Sequence, residues 1–563
     1  KKKGGIKIMN ILKKALGKQK GKPMAKSFID GQWIQGEGEL FAVKNPSTNE
    51  VVGYSHDCGK RQIQKAFQAA RESQPYWFMK VTILEKEAIY RRTEDLLEEY
   101  RPQLVRLLTK EMGKTAITAD ADITEFIHCV QHYWGELSRI EGGTKNTQML
   151  DKHSSYERHP FGTVLAICPW NFFAIPAWKI FGSITGGNAC VLKISKETPF
   201  MGSMAVFFIN KAIKTVLGAE RYKNVKGLVQ ILHGRGSTTG EMLLRRGKYR
   251  DYDLISFTGG AEVGSHLAET AGKYLIQPHL ELGGHGTIIF MDDFPLEKGV
   301  GEIVLAAFGD AGQRCVTAKE VLIEETIFNE VAARIIEKTK NLRIGLPGLA
   351  ETQVGPLISI EHRDGVHQMV LETQREARLA LGGCPITKET FRLARKEGFN
   401  LGREFAEMPE ILSGAFYLPT VFVNAPRRAL AMHKEIFGPV LCLTKLPAGR
   451  SKRETIESAA EIINGKKYGL SNAVLTNDAG LRYYASKLVK TGIFYRGRGT
   501  TGAELGQYFG GVGLSGWGRE GRGVESFTYL KQIYDDYCLE VRLAQVGAAD
   551  KLKKMLRSSK TLF

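Results

Sequence analysis

The chain has 563 residues, a length that suggests two to four domains. Hydrophobic residues make up 43% and charged residues 25%, which is typical of a soluble globular protein and excludes predominant disorder. The formal net charge is +19, but no RNA-binding aromatic signature or zinc-finger spacing accompanies it, so we expect no nucleic-acid partner. Eight cysteines without a CxxC pair exclude a disulfide scaffold and indicate a reducing compartment, and we expect no metal site.

Residues 1–26 form a basic N-terminal tail that holds ten lysines and no acidic residue. The apolar residues that recur at helical spacing between these lysines are Ile8, Ile11, Leu12, Ala15 and Leu16. A short basic amphipathic helix of this kind binds an anionic membrane or docks on a partner, and a solvated extension is the alternative. No apolar run of about 18 residues predicts a spanning helix, and no secretory signal is recognisable. We expect a cytoplasmic protein, with a peripheral membrane association as the further hypothesis.

The predicted elements that follow alternate between strands and helices. Residues 27–56 are predicted to form short extended pieces, and about 60–136 helices with a break at Pro102 and a helix end at Gly113. In residues 160–290 the predicted strands are Gly162–Ile167, Cys190–Ile194, Gly227–Leu232 and Leu254–Thr258. In a second alternating region, about 284–490, they are Thr287–Phe290, Glu320–Ile323 and Val440–Thr444. Strands separated by helices form doubly wound parallel sheets, so we predict two α/β lobes joined near Glu281.

Two polar residues follow predicted strands of the first lobe. Asn171, in Pro169-Trp170-Asn171-Phe172, has a side-chain amide that can stabilise a developing oxyanion, although these four residues taken alone favour a buried Trp beside an Asn turn. Lys193, at the end of the next strand, is placed to meet ribose hydroxyls or a phosphate in a doubly wound fold, or is simply exposed. Neither residue is decisive alone.

Two glycine-rich turns follow further strands of this lobe. The turn Gly234–Gly240, which includes Gly236, departs by one residue from the dinucleotide-binding fingerprint. The segment Phe257-Thr258-Gly259-Gly260 precedes a predicted helix whose first N–H groups can face a pyrophosphate. Either segment is also compatible with an ordinary turn.

A carboxylate and a cysteine are the strongest candidates for chemistry. Glu281 precedes the permissive pair Gly283-Gly284, and Cys315 ends the segment Gly312-Gln313-Arg314-Cys315. A nearby cation or helix N-terminus favours the thiolate of such a cysteine. Further along, Glu435 and Phe437 offer a carboxylate and an aromatic face just before a strand.

Taken in this order, the motifs resemble those of the aldehyde dehydrogenase superfamily over roughly residues 27–535. The other segments that resemble this family are Asn45-Pro46, Glu111-Met112-Gly113-Lys114, Tyr468-Gly469-Leu470-Ser471 and Phe509-Gly510-Gly511. The resemblance implies that Cys315 is the nucleophile, that Asn171 and the Cys315 N–H hold the oxyanion, and that Glu281 activates the hydrolytic water.

The resemblance also implies NAD or NADP as cofactor. Lys193 and Glu435 are expected to contact the riboses and Phe437 to pack near the nicotinamide. The remaining residues expected around the cofactor are Lys196, Gly236, Phe257, Thr258, Gly259 and Gly260. Two positions depart from the family pattern, because Lys196 stands where a Glu is common and Gly260 where a Ser is common. Together with Arg235, Lys196 predicts that NADP is accepted at least comparably with NAD.

The same comparison implies a nucleotide-binding lobe, a catalytic lobe and a small β-extension that joins subunits into a homodimer or homotetramer. We assign residues 27–147 and 161–282 to the nucleotide-binding lobe and residues 283–493 to the catalytic lobe. The extension combines residues 148–160 with residues 494–535. Residues 1–26 and 536–563 are tails outside the resemblance.

The predicted function is the oxidation of an aldehyde to a carboxylic acid with NAD(P). A CoA-acylating aldehyde dehydrogenase is the nearest alternative, and Glu281 argues against it because acylating relatives usually lack a carboxylate there. The second alternative is a non-catalytic structural or membrane-associated relative. The joint presence of Cys315, Glu281 and Asn171 argues against it, because such a protein needs none of the three.

The sequence does not identify the aldehyde. The residues that suggest an aromatic tunnel are Phe172, Phe173, Trp178 and Tyr508. Val316 offers no hydroxyl to a substrate carboxylate, which mildly disfavours amino-acid semialdehydes.

Overall fold

Strand pairing in the computed structural model builds two large sheets and several small ones. The structure describes residues 16–148, 151–521, 523–537 and 546–558. In chain order the strands are β1 (Leu16–Gln19), β2 (Lys22–Ala25), β3 (Ser27–Ile29), β4 (Gln32–Ile34), β5 (Leu40–Lys44), β6 (Val51–His56), β7 (Gly143–Lys145), β8 (Lys152–Pro160), β9 (Thr163–Cys168), β10 (Ala189–Ile194), β11 (Val229–Ile231), β12 (Leu254–Thr258), β13 (Gln277–Glu281), β14 (Gly286–Phe290), β15 (Ala318–Glu324), β16 (Arg378–Leu381), β17 (Thr420–Val423), β18 (Val440–Leu446), β19 (Tyr468–Gly469), β20 (Ser471–Leu475), β21 (Ile493–Arg496), β22 (Val512–Gly513), β23 (Gly516–Trp517) and β24 (Thr528–Asp536).

Helices connect and cover these strands. In chain order they are α1 (Lys60–Lys80), α2 (Ile83–Glu99), α3 (Arg101–Met112), α4 (Ala116–Glu136), α5 (Ala174–Thr185), α6 (Pro199–Tyr222), α7 (Glu241–Leu244), α8 (Ala261–Lys273), α9 (Leu296–Phe308), α10 (Phe328–Lys340), α11 (Ile360–Gln374), α12 (Phe391–Lys396), α13 (Glu404–Glu407), α14 (Lys452–Asn464), α15 (Ala479–Leu488) and α16 (Val546–Ser558). The predicted helical region is confirmed. Pro102 lies at the second residue of α3, where a missing N–H costs nothing, and Gly113 ends α3 with a left-handed φ of 73°.

The first large sheet has the strand order β23-β13-β12-β9-β10-β11-β3-β4. Its five central strands are parallel, and every residue of β10 is buried. Continuous burial means that both faces are covered, as in a doubly wound fold. The strands predicted in this lobe are confirmed, with Leu254–Thr258 matched residue for residue.

The second large sheet has the order β16-β17-β18-β15-β14-β20-β21 and is parallel except at the β16 edge. All seven residues of β15 are buried. The predicted α/β class with two lobes is therefore confirmed. Glu281 ends β13 of the first sheet, and β14 of the second begins five residues later. The site thus lies where the two sheets meet in the chain.

The N-terminal segment departs from the sequence prediction. Leu16 does not continue a helix: Leu16–Gln19 is a strand paired antiparallel with β2, in a four-stranded sheet of order β1-β2-β6-β5. The prediction is wrong at this residue because the hairpin buries Met24 and Ala25. Residues 1–15, with the rest of the predicted helix, lie outside the described residues.

A three-stranded antiparallel sheet, β24-β8-β7, stands apart from the two lobes. Its long pair, β8 and β24, joins Lys152–Pro160 to Thr528–Asp536 over nine residues. Residues 493–496, by contrast, form β21 of the second lobe, and β23 pairs with β13 of the first. The chain between β21 and β24 therefore runs back past the junction of the lobes before it reaches the small sheet.

One described helix, α6, is long and apolar enough to cross a membrane by length and composition alone. The most apolar window of this helix is 72% buried inside the protein. The helix packs against β11 and the neighbouring helices, which is typical of a core helix.

Candidate active site

A sharp backbone turn presents Cys315. Asp310, Ala311 and Gly312 all have left-handed backbone angles, with φ of 51°, 54° and 69°. Each non-glycine residue in this region costs about 1–2 kcal/mol. At Gly312 a side chain is impossible, since its Cβ would collide with the Gly438 carbonyl. The nucleophile loop, residues 309–315, is therefore strained and must be held by its surroundings.

A buried ion cluster holds this loop. The Asp310 carboxylate accepts from Arg314 Nε at 2.6 Å and from Lys114 Nζ at 3.3 Å. Lys114 also donates to Asp122 at 2.9 Å, and Asp122 accepts the Phe173 N–H at 3.0 Å. Burial alone would raise the pKa of Asp310, but Lys114 and Arg314 hold it below its usual range. The cluster thus connects the nucleophile loop of one lobe to the Asn171 segment of the other.

Asn171 reaches the nucleophile loop directly. Its Nδ2 donates to the Gln313 carbonyl at 2.9 Å, two residues before Cys315. Gln313 is fixed in turn, because its side-chain oxygen accepts the Ile358 N–H at 2.9 Å. A primary amide has two N–H donors, so the second one of Asn171 remains for an oxyanion.

The surroundings of Cys315 favour the protonated thiol. Burial, followed by the charges of Glu435 and Glu281, raises the pKa of this thiol to about 12. The expectation that a nearby cation favours the thiolate is therefore wrong, because the Arg314 guanidinium is turned toward Asp310. Attack by the sulfur consequently requires a base that takes its proton.

Glu281 has the properties of such a base. It is 3% exposed, and neither carboxylate oxygen has a hydrogen-bond partner among the described residues. A Cβ at Gly510 would lie 2.8 Å from Glu281 Oε1, so glycine there preserves the space beside the carboxylate. Burial, followed by the charge of Glu520, raises the pKa of Glu281 well above its ordinary value. A carboxylate with a raised pKa takes protons readily near neutral pH.

Sequence reasoning missed a buried ion pair beside Glu281. Lys179 is fully buried and donates to Glu520 at 2.9 Å and to Ser256 Oγ at 2.8 Å. The Ser256 hydroxyl also donates to Glu520 at 2.6 Å. Lys179 in the apolar stretch of α5 was the available signal, but its partner lies 341 residues away. This pair sets the charge that Glu281 experiences.

The residues expected at the cofactor come from both lobes. Lys193 is buried, with its Nζ bonded to the Ile194 carbonyl at 3.1 Å, and burial lowers its pKa to about 8. Gly260 lies at the N-terminus of α8, where no side chain caps the helix and the space beside it is open. Phe257 and Thr258 end β12 just before it, and the Gly259 N–H bonds to the Glu281 carbonyl at 3.0 Å. A helix N-terminus of this kind accommodates an anionic phosphate.

Glu435 and Phe437 are the expected cofactor residues of the second lobe. Glu435 accepts the Gly284 N–H at 3.0 Å and packs on Gly283, where any side chain would collide with it. The Phe437 ring stands edge-on to Trp170, with centroids 5.7 Å apart. A buried Lys, an open helix N-terminus, a carboxylate and an aromatic ring together fit a dinucleotide.

The two residues expected to attract a 2′-phosphate, Arg235 and Lys196, have different surroundings. Arg235 is bound to Asp57 and Glu39, so its predicted contact with a phosphate is wrong for this conformation. Lys196 Nζ lies 3.2 Å from Glu197 Oε1. The Lys196 side chain is 55% exposed, so its ammonium group is accessible from solvent. Gly236 begins a single π-helical turn that ends at Gly240.

The predicted aromatic tunnel is found only in part. Phe173 is fully buried against Phe126 and lines no tunnel, because it belongs to the core. Phe172 lies over the Lys114 ammonium, 4.1 Å from ring centroid to Nζ. Trp178 stands edge-on to Phe509 at 5.6 Å, and Tyr508 is 53% exposed. Within the described part of the chain, no group of three or more His, Cys, Asp or Glu is arranged to hold a metal.

Comparison with known proteins shows which family this chain resembles. Residues 33–533 match the model of the aldehyde dehydrogenase family. The betaine aldehyde dehydrogenase of Bacillus subtilis is 30% identical over 519 residues, which cover 90% of this chain and 96% of that protein. The NADP-dependent D-glyceraldehyde dehydrogenase of Picrophilus torridus is 29% identical over 525 residues, covering 91% and 96%. The crystal structure of Staphylococcus aureus betaine aldehyde dehydrogenase with NAD+ superimposes with a TM-score of 0.82 at 25% identity, covering 95% and 97%.

The ion cluster makes a testable prediction. Asp310→Asn removes the charge that Lys114 and Arg314 share, so we expect the free energy of unfolding to fall by about 3 kcal/mol. Because the strained loop then relaxes, we expect alkylation of Cys315 by iodoacetamide to slow roughly tenfold or more. Urea unfolding and a timed alkylation assay measure the two effects.

Asp120→Asn on the same helix as Asp122 is the matched control. Asp120 is half exposed and pairs with Arg101 at the surface, so its removal should cost less than about 1 kcal/mol and leave alkylation unaltered. Unchanged alkylation of Cys315 in folded Asp310→Asn protein would show that the cluster does not position the nucleophile.

Proposed function

The chain belongs to the aldehyde dehydrogenase family and oxidises an aldehyde to a carboxylic acid with NAD or NADP, and we propose that Cys315, Glu281 and Asn171 carry out this reaction. The observation that carries the assignment is the Glu281 carboxylate, which is buried and unpartnered within the described residues while its charge acts on the Cys315 thiol. Burying a carboxylate without a hydrogen-bond partner lowers the stability of the fold, so its presence indicates a functional role.

The first step is addition of Cys315 to the aldehyde. The sulfur attacks the carbonyl carbon, and its proton passes to the Glu281 carboxylate, whose raised pKa makes it an acceptor. The carbonyl oxygen becomes the oxyanion of a thiohemiacetal. The free N–H of the Asn171 amide and the Cys315 N–H hold this oxyanion. Asn171 keeps its other contact to Gln313 throughout, so it needs no rearrangement.

A bound NAD or NADP would supply the acceptor for the hydride of the thiohemiacetal carbon. In this proposal Lys193 and Glu435 would hold the riboses, the open N-terminus of α8 at Gly260 would hold the pyrophosphate, and Phe437 would pack near the nicotinamide. Gly236, Thr258 and Phe257 would adjoin the cofactor.

The second step is hydrolysis of the thioester on Cys315. After Glu281 has released the Cys315 proton to solvent, it takes a proton from water, the hydroxide adds to the acyl carbon, and the carboxylic acid leaves as the sulfur regains a proton from Glu281. Glycine at residue 510 keeps any side chain away from Glu281 Oε1. This arrangement supports hydrolysis over transfer to CoA, where no base for water is needed. The joint presence of nucleophile, base and oxyanion donor likewise speaks against a non-catalytic scaffold.

We also propose the division into domains given above, with one adjustment. The small sheet β24-β8-β7 serves as the oligomerisation extension, and residues 494–527 serve the walls of the site instead, since they join β21 to the first sheet. Exposed Leu530 and Tyr534 on the extension support a homodimer or homotetramer.

The roles of Glu281 predict a kinetic signature. Glu281→Gln cannot accept a proton from the Cys315 thiol or from water, so we expect both a slower burst of NAD(P)H and steady-state turnover roughly 100-fold below that of the parent enzyme. Because the base works as a carboxylate and its pKa is raised, the parent rate should rise with pH as Glu281 ionises, and the variant should lose this rise. Stopped-flow absorbance across pH 6–10 measures both effects.

Cys315→Ala serves as the control, because it should abolish the burst as well as turnover while cofactor binding survives. Normal steady-state rates in Glu281→Gln would assign the base elsewhere.

The environment of Lys196 predicts cofactor use. Since its exposed ammonium can approach a 2′-phosphate, we expect NADP to be accepted alongside NAD, even though Arg235 is committed to Asp57 and Glu39. Lys196→Glu should lower the ratio of kcat/KM for NADP over NAD by roughly tenfold. Steady-state kinetics with both cofactors give the ratio, and a parent enzyme that uses NAD alone would refute the expectation.

We propose a cytoplasmic protein that associates reversibly with anionic membranes through its N-terminal tail. The described C-terminal helix α16 supports this, because it repeats the basic-apolar pattern with Leu552, Met555 and Leu556 all exposed. Each lysine near an anionic bilayer contributes about 1 kcal/mol.

Cosedimentation with phosphatidylserine vesicles tests the tail. We expect binding at low salt, loss of binding at 0.5 M salt, and weaker binding after deletion of residues 1–15, which spares the folded hairpin at Leu16–Ala25. Full-length protein that stays in the supernatant at low salt would exclude the membrane association.

A further inference from the structure

An open cavity of about 690 Å³ lies beside the candidate active site. Its principal lining residues are Tyr495, Arg498, Gly502, Glu504, Tyr508 and Phe509. The backbone of this wall is fastened to the nucleophile segment, because Thr500 Oγ1 donates to the Val316 carbonyl at 2.7 Å. Gly499 N–H donates to Glu302 at 2.9 Å on the helix that precedes the nucleophile loop. The wall therefore keeps a fixed position relative to Cys315.

Tyr495 contributes a buried donor to this wall. Its hydroxyl oxygen is inaccessible to solvent and has no hydrogen-bond partner in the part of the chain that the structure describes. Burial raises the pKa of Tyr495, and Glu504 raises it further while Arg498 lowers it, so the hydroxyl remains protonated. A buried hydroxyl without a partner loses about 1–3 kcal/mol, which a bound acceptor would recover.

Arg498 contributes a second, fixed donor. Its guanidinium carbon lies 5.4 Å from the centroid of the Tyr495 ring, and Nη2 donates to the Thr501 carbonyl at 2.9 Å. Any side chain at residue 502 would collide with this guanidinium, and Gly502 has a φ of +106°. Arg498 forms no ion pair with a described residue, so most of its five N–H donors are available to the cavity.

Glu504 is the opposing charge in the same cavity. Its carboxylate is exposed and makes neither an ion pair nor a side-chain hydrogen bond within the described ranges. The cation is thus held in place by a carbonyl, a glycine and an aromatic ring, whereas the anion is unrestrained. Rigid donors cost less ordering entropy on binding than a mobile side chain does, so the cavity favours acceptors over cations.

We propose that this cavity is a subsite for an anionic group, and that the enzyme prefers aldehydes carrying a carboxylate or a similar anion, which Arg498 and Tyr495 bind while Cys315 receives the carbonyl. The inference rests on the proposed function of Cys315. It also revises the expectation from Val316, since the anion is bound by the neighbouring wall and needs no hydroxyl at residue 316.

Three short-chain aldehydes of different charge test the subsite: succinic semialdehyde, butanal and 4-(trimethylammonio)butanal, which are anionic, neutral and cationic. The readout is the ratio of kcat/KM for the anionic aldehyde over butanal. Arg498→Gln should lower this ratio roughly tenfold, because a charge-assisted hydrogen bond is lost. Arg498→Lys should retain part of it, and Tyr495→Phe should lower it by a smaller factor.

Glu504→Gln is the matched control in the same cavity, and it should leave the ratio level or raise it. An unchanged ratio in Arg498→Gln, or an equal fall with all three aldehydes, would overturn the subsite while the oxidation of butanal still upholds the proposed function. If no aldehyde is oxidised by the parent enzyme, the proposed function itself fails.

Discussion

The site depends on the ion cluster formed by Lys114, Asp122, Asp310 and Arg314. Two of its members come from the first lobe and two from the second, and within the cluster the charges balance. Buried ions that lose a partner are strongly destabilising, so the cluster fixes the two lobes at one separation. The same carboxylate, Asp310, sits in a left-handed conformation that the chain would not adopt unaided. The cluster therefore stabilises the lobe junction and the nucleophile turn at once.

Desolvation then determines the acid–base chemistry inside this frame. Glu281 is buried, Cys315 and Glu435 are partly buried near it, and desolvation raises the pKa of each. In Glu435 the pKa is about 7, because Lys319 and the Gly284 N–H partly offset burial. The sulfur is thus stored as a thiol next to carboxylates that are ready to take its proton. A site of this kind reacts when a substrate arrives and is protected from oxidation in between, because the thiolate is the reactive form.

The sequence was sufficient for the parallel strands and for the site residues that adjoin them. Apolar runs such as Leu254–Thr258 are unambiguous when both faces are covered, and motif residues such as Asn171 follow directly from strand ends. Contacts across long separations were not predictable. Lys179 and Glu520 are 341 residues apart, and local pattern carries no information about such a pair. Leu16 was misassigned because helical spacing in a short, lysine-rich segment competes with a hairpin whose partner strand lies outside the window.

The groups proposed to react and the groups proposed to select the substrate lie in different parts of the site. The groups that react are buried and coupled to one another, so a change in any of them alters the charge balance of the whole site. Arg498 and Glu504, by contrast, lie on an exposed wall that touches the nucleophile segment only through Thr500 and the backbone. Because exposed charges interact weakly with the buried cluster, this wall can change its charge without disturbing the nucleophile. The relatives are named for different aldehydes, among them betaine aldehyde, alpha-ketoglutaric semialdehyde and D-glyceraldehyde. Such variety is compatible with the proposed arrangement, in which the segment between β21 and β24 would select the substrate and the lobe junction would carry the reaction.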